Sequence, residues 1–313
     1  MIEPIPKGEF SLIRWIRSQI PEELRKAEKS IGDDASVIRT DGGSVAISTD
    51  MIVEGVDFRL DSASPRRIGW KALGVTLSDI AAMGLKPEYA LTAVNLPEDQ
   101  PISFAQELFL GMLDIAKQFG VEIVGGDTSS SPGGLCVVTT ALALVKDARP
   151  IYRSGGRVGD SILVTGELGG SILGKHLDFV PRIDEGMLLN RNFPIHAMID
   201  ISDGLSSDLS HLAEASGLGA VVEEKAIPVS NSARELSSKT GRTPIECALN
   251  DGEDFELLFT LSPEDAKRLL SAPPFATKLT PVGRLIPRGF FLEDSAGNLI
   301  TLERRGYEHF KGR

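Results

Sequence analysis

The stretch IGDDASVIRTDGGSVAISTD, residues Ile31 to Asp50, decides how the chain is read. Asp41-Gly42 lies between two apolar segments, Val37-Ile38 and Val45-Ala46-Ile47. This dipeptide is a strong hairpin signal, because a type I′ turn needs two residues tolerant of positive φ. With Thr40 paired to Gly43, the register carries outward until Asp34 faces Thr49 and Asp33 faces Asp50. Three carboxylates and a hydroxyl then meet at the open end of one hairpin. Like charges opposed in a sheet destabilise it, so the pattern points to a bound cation.

Composition narrows the rest. A chain of 313 residues favours two domains and can bury roughly 75% of its unfolded surface, so it needs neither disulfide nor metal to fold. The net charge of −11 carries no basic patch and argues against nucleic acid as a partner. An anionic small substrate would need bridging metal ions. Cys136 and Cys247 stand far apart in apolar surroundings, as inert thiols of a reducing compartment do. No apolar run reaches the roughly 18 residues of a membrane span, and the N-terminus shows no basic-then-apolar signal. The expected location is the cytoplasm, without a membrane partner.

Outward from the hairpin, Gly8 to Ile20 reads as an amphipathic helix with Phe10, Ile13 and Ile16 on one face. Residues 51–58 read as a loop carrying Asp57. Ser64-Pro65 starts a helix that ends at Gly84. Within its apolar run, Ser78-Asp79 is an unusual polar pair, and Asp79 falls where the helix dipole disfavours an anion by roughly 0.3–1 kcal/mol. Tyr89 to Asn95 and Val121 to Val124 read as strands around a helix from Ser103 to Phe119. The second strand runs into Gly125-Gly126-Asp127-Thr128, where glycines admit an anion and Asp127 offers oxygen to a metal. Leu135 to Val145 is a buried strand.

The segment from Arg149 to Gly159 is the linker by composition, and Arg153 and Arg157 are cations in an acidic chain. Gly166 to Ser171 reads as a strand-to-helix turn near a phosphate. In Ala197 to Ile201, Asp200 sits inside an apolar strand where helix capping cannot explain it, whereas Ser202 or Asp203 reads equally as a helix cap. Asn250 to Asp254 opens a strand from Phe255 to Thr260.

Acids that local structure does not explain thus recur as Asp33/Asp34, Asp50, Asp79, Asp127, Asp200/Asp203 and Glu253/Asp254. Nearly all stand at element ends, where α/β architectures place ligand sites. Oxygen-only ligands select Mg²⁺, Mn²⁺ or Ca²⁺, and so many of them imply several ions and a polyphosphate. The chemistry indicated is nucleotide-dependent phosphoryl transfer.

Taken in order, Gly8-Glu-Phe-Ser-Leu-Ile, Ile31-Gly-Asp-Asp, Ser48-Thr-Asp, Ser78-Asp-Ile-Ala-Ala-Met-Gly, Gly125-Gly-Asp-Thr, Arg153-Ser-Gly, Ile199-Asp-Ile-Ser-Asp-Gly-Leu, Gly252-Glu-Asp-Phe-Glu-Leu and Gly306-Tyr-Glu-His-Phe form a specific set. With it the chain resembles the thiamine-monophosphate kinases, in the superfamily that includes aminoimidazole ribonucleotide synthetase. The resemblance implies an α/β (α+β) two-domain fold of the aminoimidazole ribonucleotide synthetase type, paired through its N-terminal domains in a homodimer. Residues 1–148 would bind ATP and Mg²⁺ and dimerise, and residues 149–313 would complete the nucleotide and substrate site. The implied reaction converts ATP and thiamine phosphate to ADP and thiamine diphosphate.

By the same resemblance, Asp34, Ser48, Thr49, Asp50, Asp79, Asp127, Asp200 and Asp203 hold several Mg²⁺ ions. Phe109, Gly126, Asp127, Arg153 and Ser202 contact ATP, and Asp57, Glu253 and Tyr307 face thiamine phosphate. Asp50, Asp127, Asp203 and Arg153 form the catalytic set. The chain departs from the family at Asp57, where a histidine is usual, and between Gly170 and Arg182, where it is shorter. The alternatives are another ATP-dependent synthetase of this superfamily and a non-catalytic nucleotide-binding regulator.

Overall fold

In the computed structural model, which describes residues 8–146 and 149–307, the hairpin forms in the expected register but through a different turn. β1 (Ser36–Thr40) pairs antiparallel with β2 (Gly43–Val53), Thr40 against Gly43 and Ser36 against Ile47. Neither Asp41 nor Gly42 has positive φ. Gly43 takes it instead, at 134°, so the turn is not type I′. The ladder stops at Ser36, and residues 31–35 bend away, so Asp33 and Asp34 never become strand partners of Asp50 and Thr49. Crowding of like charges across a ladder is the physical reason against extending it. β2 runs on to Val53, into the segment expected to be loop.

α1 (Glu9–Gln19) forms, but its apolar face is not buried: Ile16 is 42% exposed. The side chain of Phe10 lies outside the described residues, as do Glu308, His309 and Phe310 of the C-terminal motif. α2 (Pro65–Ala82) and α3 (Ile102–Phe119) cover one face of a sheet ordered β1-β2-β5-β3-β4, with β3 (Tyr89–Pro97), β4 (Glu122–Ser131) and β5 (Cys136–Val145). Among the described residues of this sheet, only β3 and β4 pair in parallel, as the intervening helix requires. β4 does not end at its glycines. It stays paired through Ser131.

The second sheet mixes directions in the order β12-β11-β8-β10-β6-β9-β7. Its strands are β6 (Ser161–Thr165), β7 (Ala197–Asp200), β8 (Gly219–Glu223), β9 (Leu257–Leu261), β10 (Leu279–Ile286), β11 (Phe290–Glu293) and β12 (Leu299–Thr301). The accompanying helices are α4 (Lys175–Asp178), α5 (Ile183–Asn192), α6 (Leu205–Ala215), α7 (Asn231–Thr240), α8 (Pro244–Asn250) and α9 (Pro263–Ser271). β9 begins two residues later than expected, because Glu253 and Phe255 adopt φ of 62° and 49°.

α2 is the element both sheets share. Ile68, Leu77 and Ile80 on α2 belong to one buried cluster with Leu163, Met198 and Phe259 of the second sheet. Against α3 the helix crosses at two glycines. A Cβ on Gly69 would lie 1.9 Å from the Leu108 carbonyl oxygen, and one on Gly111 would lie 1.8 Å from that of Arg66. Both neighbours are helix backbone and cannot step aside. Gly111→Ala is therefore expected to cost about 2–3 kcal/mol, read as a lower urea midpoint with an unchanged slope. A midpoint equal to the parent's would mean that the two helices can separate freely.

Candidate functional site

Asp34, Asp79 and Asp200 each present a carboxylate oxygen within 4.8 Å of the others. They arrive from three places: the bend before β1, the last turn of α2 and the end of β7. Ser48 and Asp50 alternate on β2 with Thr49, so period two turns Ser48 and Asp50 toward α2 and Thr49 to the other face. The Ser48 hydroxyl contacts the Asp34 carbonyl oxygen at 3.0 Å and the Asp79 carboxylate. Ser78 donates to Asp200 Oδ2 at 2.6 Å, joining α2 to β7. The unusual Ser78-Asp79 pair thus faces the acids with both side chains. The Thr49 hydroxyl is bonded to the Thr139 carbonyl (3.1 Å) and to Thr140 (2.9 Å), away from the acids.

Burial, then the charges of Asp50, Asp200 and Asp34, push the Asp79 carboxyl well above the usual range. Burial first, and then Asp34, raise Asp200 to about 7. Asp50 is raised chiefly by burial, as is Asp34, although Arg153 pulls Asp34 the other way. Arg153 donates to Asp34 Oδ1 through Nη2 at 2.8 Å and Nε at 3.2 Å. Its backbone N–H donates to Asp33 Oδ1 at 3.1 Å, and Asp33 also pairs with Lys29 at 2.8 Å. Asp33 therefore anchors the linker and does not join the cluster. Among the described residues, Asp34 Oδ2 and Asp50 Oδ2 are buried without a hydrogen-bond partner. Buried unpartnered carboxylate oxygens are rare, and these fit the donor set of a hard divalent cation.

Ser202 and Asp203 do not cap α6. Gly204 occupies the cap position, and Asp208, one turn inside the helix, accepts from the N–H groups of Asp203 and Gly204 at 3.0 Å each. Burial, together with Asp203 and Asp200, raises the Asp208 carboxyl well above its usual range. The expected phosphate turn at Gly166–Ser171 is committed elsewhere: the amides of Gly169 and Gly170 donate to Asp254 Oδ2 (2.8 Å) and Asp251 Oδ2 (3.0 Å). Asp254 is thereby accounted for outside the acid cluster.

Asp34, Asp50, Asp79, Arg153, Asp203 and Asp208 line one cleft of about 1200 Å³, together with Asp57, Glu253 and Tyr307. Asp57 Oδ2 accepts from the Val53 N–H at 2.7 Å. Glu253 is bonded to Lys71, which sequence reading passed over. A lone lysine in the apolar run Ile68-Gly-Trp-Lys-Ala-Leu was the available signal. Asp208 had a similar one, an acid in a helical segment otherwise read only for its cap. Phe109, Gly126 and Asp127 stand apart, in a second cleft of about 390 Å³ walled by Val94, Leu96, Met112 and Ile123. Within one chain, Asp127 is not brought to Asp34, Asp50 and Asp79. Gly126 is demanded by the sheet itself, since a Cβ there would lie 1.7 Å from the Thr92 carbonyl oxygen.

Residues 32–145 match the model for AIR synthase related protein, N-terminal domain, and residues 157–291 the model for its C-terminal domain. The chain is 39% identical to a thiamine-monophosphate kinase of Rhodopirellula baltica over 96% of this chain and 97% of that one. It is 32% identical to one from Aquifex aeolicus, over 97% and 98%. The solved structure described as "AaThiL complexed with AMPPCP and TMP" superposes with a TM-score of 0.83 at 32% identity, covering 97% of each chain.

The raised carboxyls make a testable demand on the cation-free protein. An acid moved from 3.8 to about 7 on folding, as Asp200 is, binds its proton more tightly in the native state. Its cost to stability is absent below the unfolded value, builds between the two values and is complete above the upper one. In chelator, the melting temperature is expected to fall between about pH 4 and about pH 7, and Asp200→Asn to flatten that fall. If Asp200→Asn instead tracks the parent across the whole interval, the acids are not crowded as described.

Proposed function

The chain belongs to the thiamine-monophosphate kinase family, and on that footing we propose that it transfers a phosphoryl group from ATP to thiamine monophosphate, giving ADP and thiamine diphosphate. One observation carries the reading: acids from four separate segments converge in one cleft beside Arg153, with two carboxylate oxygens left unpartnered. The AMPPCP and TMP of the related complex support the same pair of substrates.

Asp34, Asp50, Asp79 and Asp200 would hold Mg²⁺, with Asp203 at the rim and Thr49 able to offer only its backbone oxygen. When bound, Mg²⁺ supplies the positive charge that offsets the polyphosphate oxygens. The acceptor is a phosphate oxygen that is already anionic, so the reaction needs no general base. What remains for the chain is to bring two anions together in line. Arg153, paired with Asp34 at 2.8 Å, is the cation placed to meet a phosphate. Asp208 fixes the Ser202–Asp203 turn from beneath. Glu253 and Asp57 supply negative charge for the thiazolium, and Tyr307, 51% exposed, a ring for it to pack on. The free thiols Cys136 and Cys247 support a reducing, cytoplasmic setting.

The homodimer belongs to the same proposal. α2 and α3 cover one face of the N-terminal sheet, while the other presents Met51, Tyr89 and Leu91 at 60%, 36% and 41% exposure. An apolar sheet face of this kind needs a partner. Pairing these faces would bring the Phe109–Asp127 cleft of one chain toward the acid cleft of its partner.

Incubation with ATP, Mg²⁺ and thiamine phosphate is expected to yield thiamine diphosphate without accumulating free phosphate. Release of phosphate with no thiamine diphosphate would sink the assignment. Asp50→Asn, a neutral isostere, is expected to lower turnover by about 10³-fold or more with no loss of melting temperature; near-normal turnover would remove the acid cluster from the chemistry. Mixing inactive Asp50→Asn and Asp127→Asn chains is expected to restore about a quarter of parental activity, as a site shared across a two-fold axis requires. No recovery in a mixture shown to exchange subunits would mean that each site is built within one chain.

A further inference from the structure

Lys71 lies on α2 with none of its side chain exposed. A buried ammonium persists only where partners replace its water. Its Nζ donates to the Asp57 carbonyl oxygen at 2.6 Å and to Glu253 Oε1. Glu253 is itself 28% exposed and opens on its other side to the large cleft. It holds φ at 62°, a region unfavourable to a side chain that bears a Cβ. Its N–H is tied to the Ser202 carbonyl at 2.7 Å. Two residues on, Phe255 repeats the left-handed conformation and stacks on Phe179 with ring centroids 3.9 Å apart.

No glycine occupies either strained position, so the loop is shaped by what it packs against. Three side chains of α2 at helical spacing, Arg67, Trp70 and Lys71, face this region together. Arg67 Nε donates to Asp178 Oδ1 at 2.6 Å, and Trp70 Nε1 to the Phe179 carbonyl at 2.7 Å. They fix the short segment before α5, on which Phe255 then rests. Lys71 alone of the three reaches a side chain that opens to the cleft.

We infer that Lys71 is a positioning residue for the acceptor: its ammonium holds Glu253 in the left-handed turn with the carboxylate edge open to the cleft, and so sets where thiamine phosphate meets negative charge. The inference rests on the function proposed above and deepens it. Acceptor affinity is assigned to a residue that never touches the acceptor, and the nucleotide end is left untouched.

Four proteins test this: the parent, Lys71→Met, Glu253→Gln and the double variant. Lys71→Met is expected to raise the KM for thiamine phosphate about tenfold or more while the KM for ATP stays within about twofold. In the Glu253→Gln background the same change is expected to add less than about twofold, because the charge that Lys71 holds is gone. An equal penalty in both backgrounds overturns the inference, as does a parallel rise of both KM values, which a merely structural role produces. Should Lys71→Met fail to fold, Glu253→Gln and the double variant decide the matter alone: equal KM values for thiamine phosphate support it, and unequal ones overturn it. Turnover of thiamine phosphate by the parent is the control that separates this inference from the function it rests on.

Discussion

Repulsion among buried acids is the constraint on which the structure turns. Asp34, Asp50, Asp79 and Asp200 come from a bend, a strand, a helix end and a second sheet, and no local interaction would gather them. The charges are only partly compensated. Arg153 reaches Asp34, Ser48 reaches Asp79 and Ser78 reaches Asp200. Hydroxyls stabilise a carboxylate by one hydrogen bond and contribute no charge. That, on top of burial, is why Asp200 stays near 7 and Asp79 is held well above the usual carboxylate range. Packing elsewhere must hold the arrangement together against this cost.

Most of that packing passes through α2. Beyond its first turn the helix has no exposed face, because the first sheet, α3 and the second sheet's elements surround it. Its first turns carry Arg67, Trp70 and Lys71 toward the loop at Glu253. Gly69, within the same turns, lies at the α3 crossing, and the last turns carry Ser78 and Asp79 into the acid cluster. One rigid element thus spaces the proposed acceptor end of the cleft from the proposed metal end. A change in its seating would move both.

Much of this was legible from residue order. Asp200 stood out as an acid inside an apolar strand, and Asp79 as an acid at the unfavourable end of a helix. Both signals arise because local structure gives such residues no reason to be there. Where local chemistry did supply a reason, the reading went astray. Asp41-Gly42 invited a type I′ turn, yet Gly43 carries the positive φ. Ser202 and Asp203 looked like helix caps, yet Gly204 and Asp208 do that work. The amides at Gly169 and Gly170 looked ready for a phosphate, but Asp254 and Asp251, more than eighty residues away, already occupy them. Lys71 did carry a signal, a lone cation in an apolar run, but its partner lies 182 positions along the chain and local pattern could not supply it.

Asp127 marks the limit of what one chain contains. It is exposed on an edge strand, in a cleft with apolar walls, while Asp34, Asp50 and Asp79 line a separate cleft. The same crowding that raises Asp79 and Asp200 gives this separation a physical sense. A further carboxylate placed among the buried four would add repulsion to every folded chain, with or without its ligands. Held on a different surface, and delivered by the proposed pairing of uncovered sheet faces, it adds charge only where a partner is present. There, bound cations and nucleotide can offset that charge. In the proposed pairing, dividing the acids between two surfaces would let each chain fold with a repulsion its core can carry, and would leave the full charge density to the assembled site.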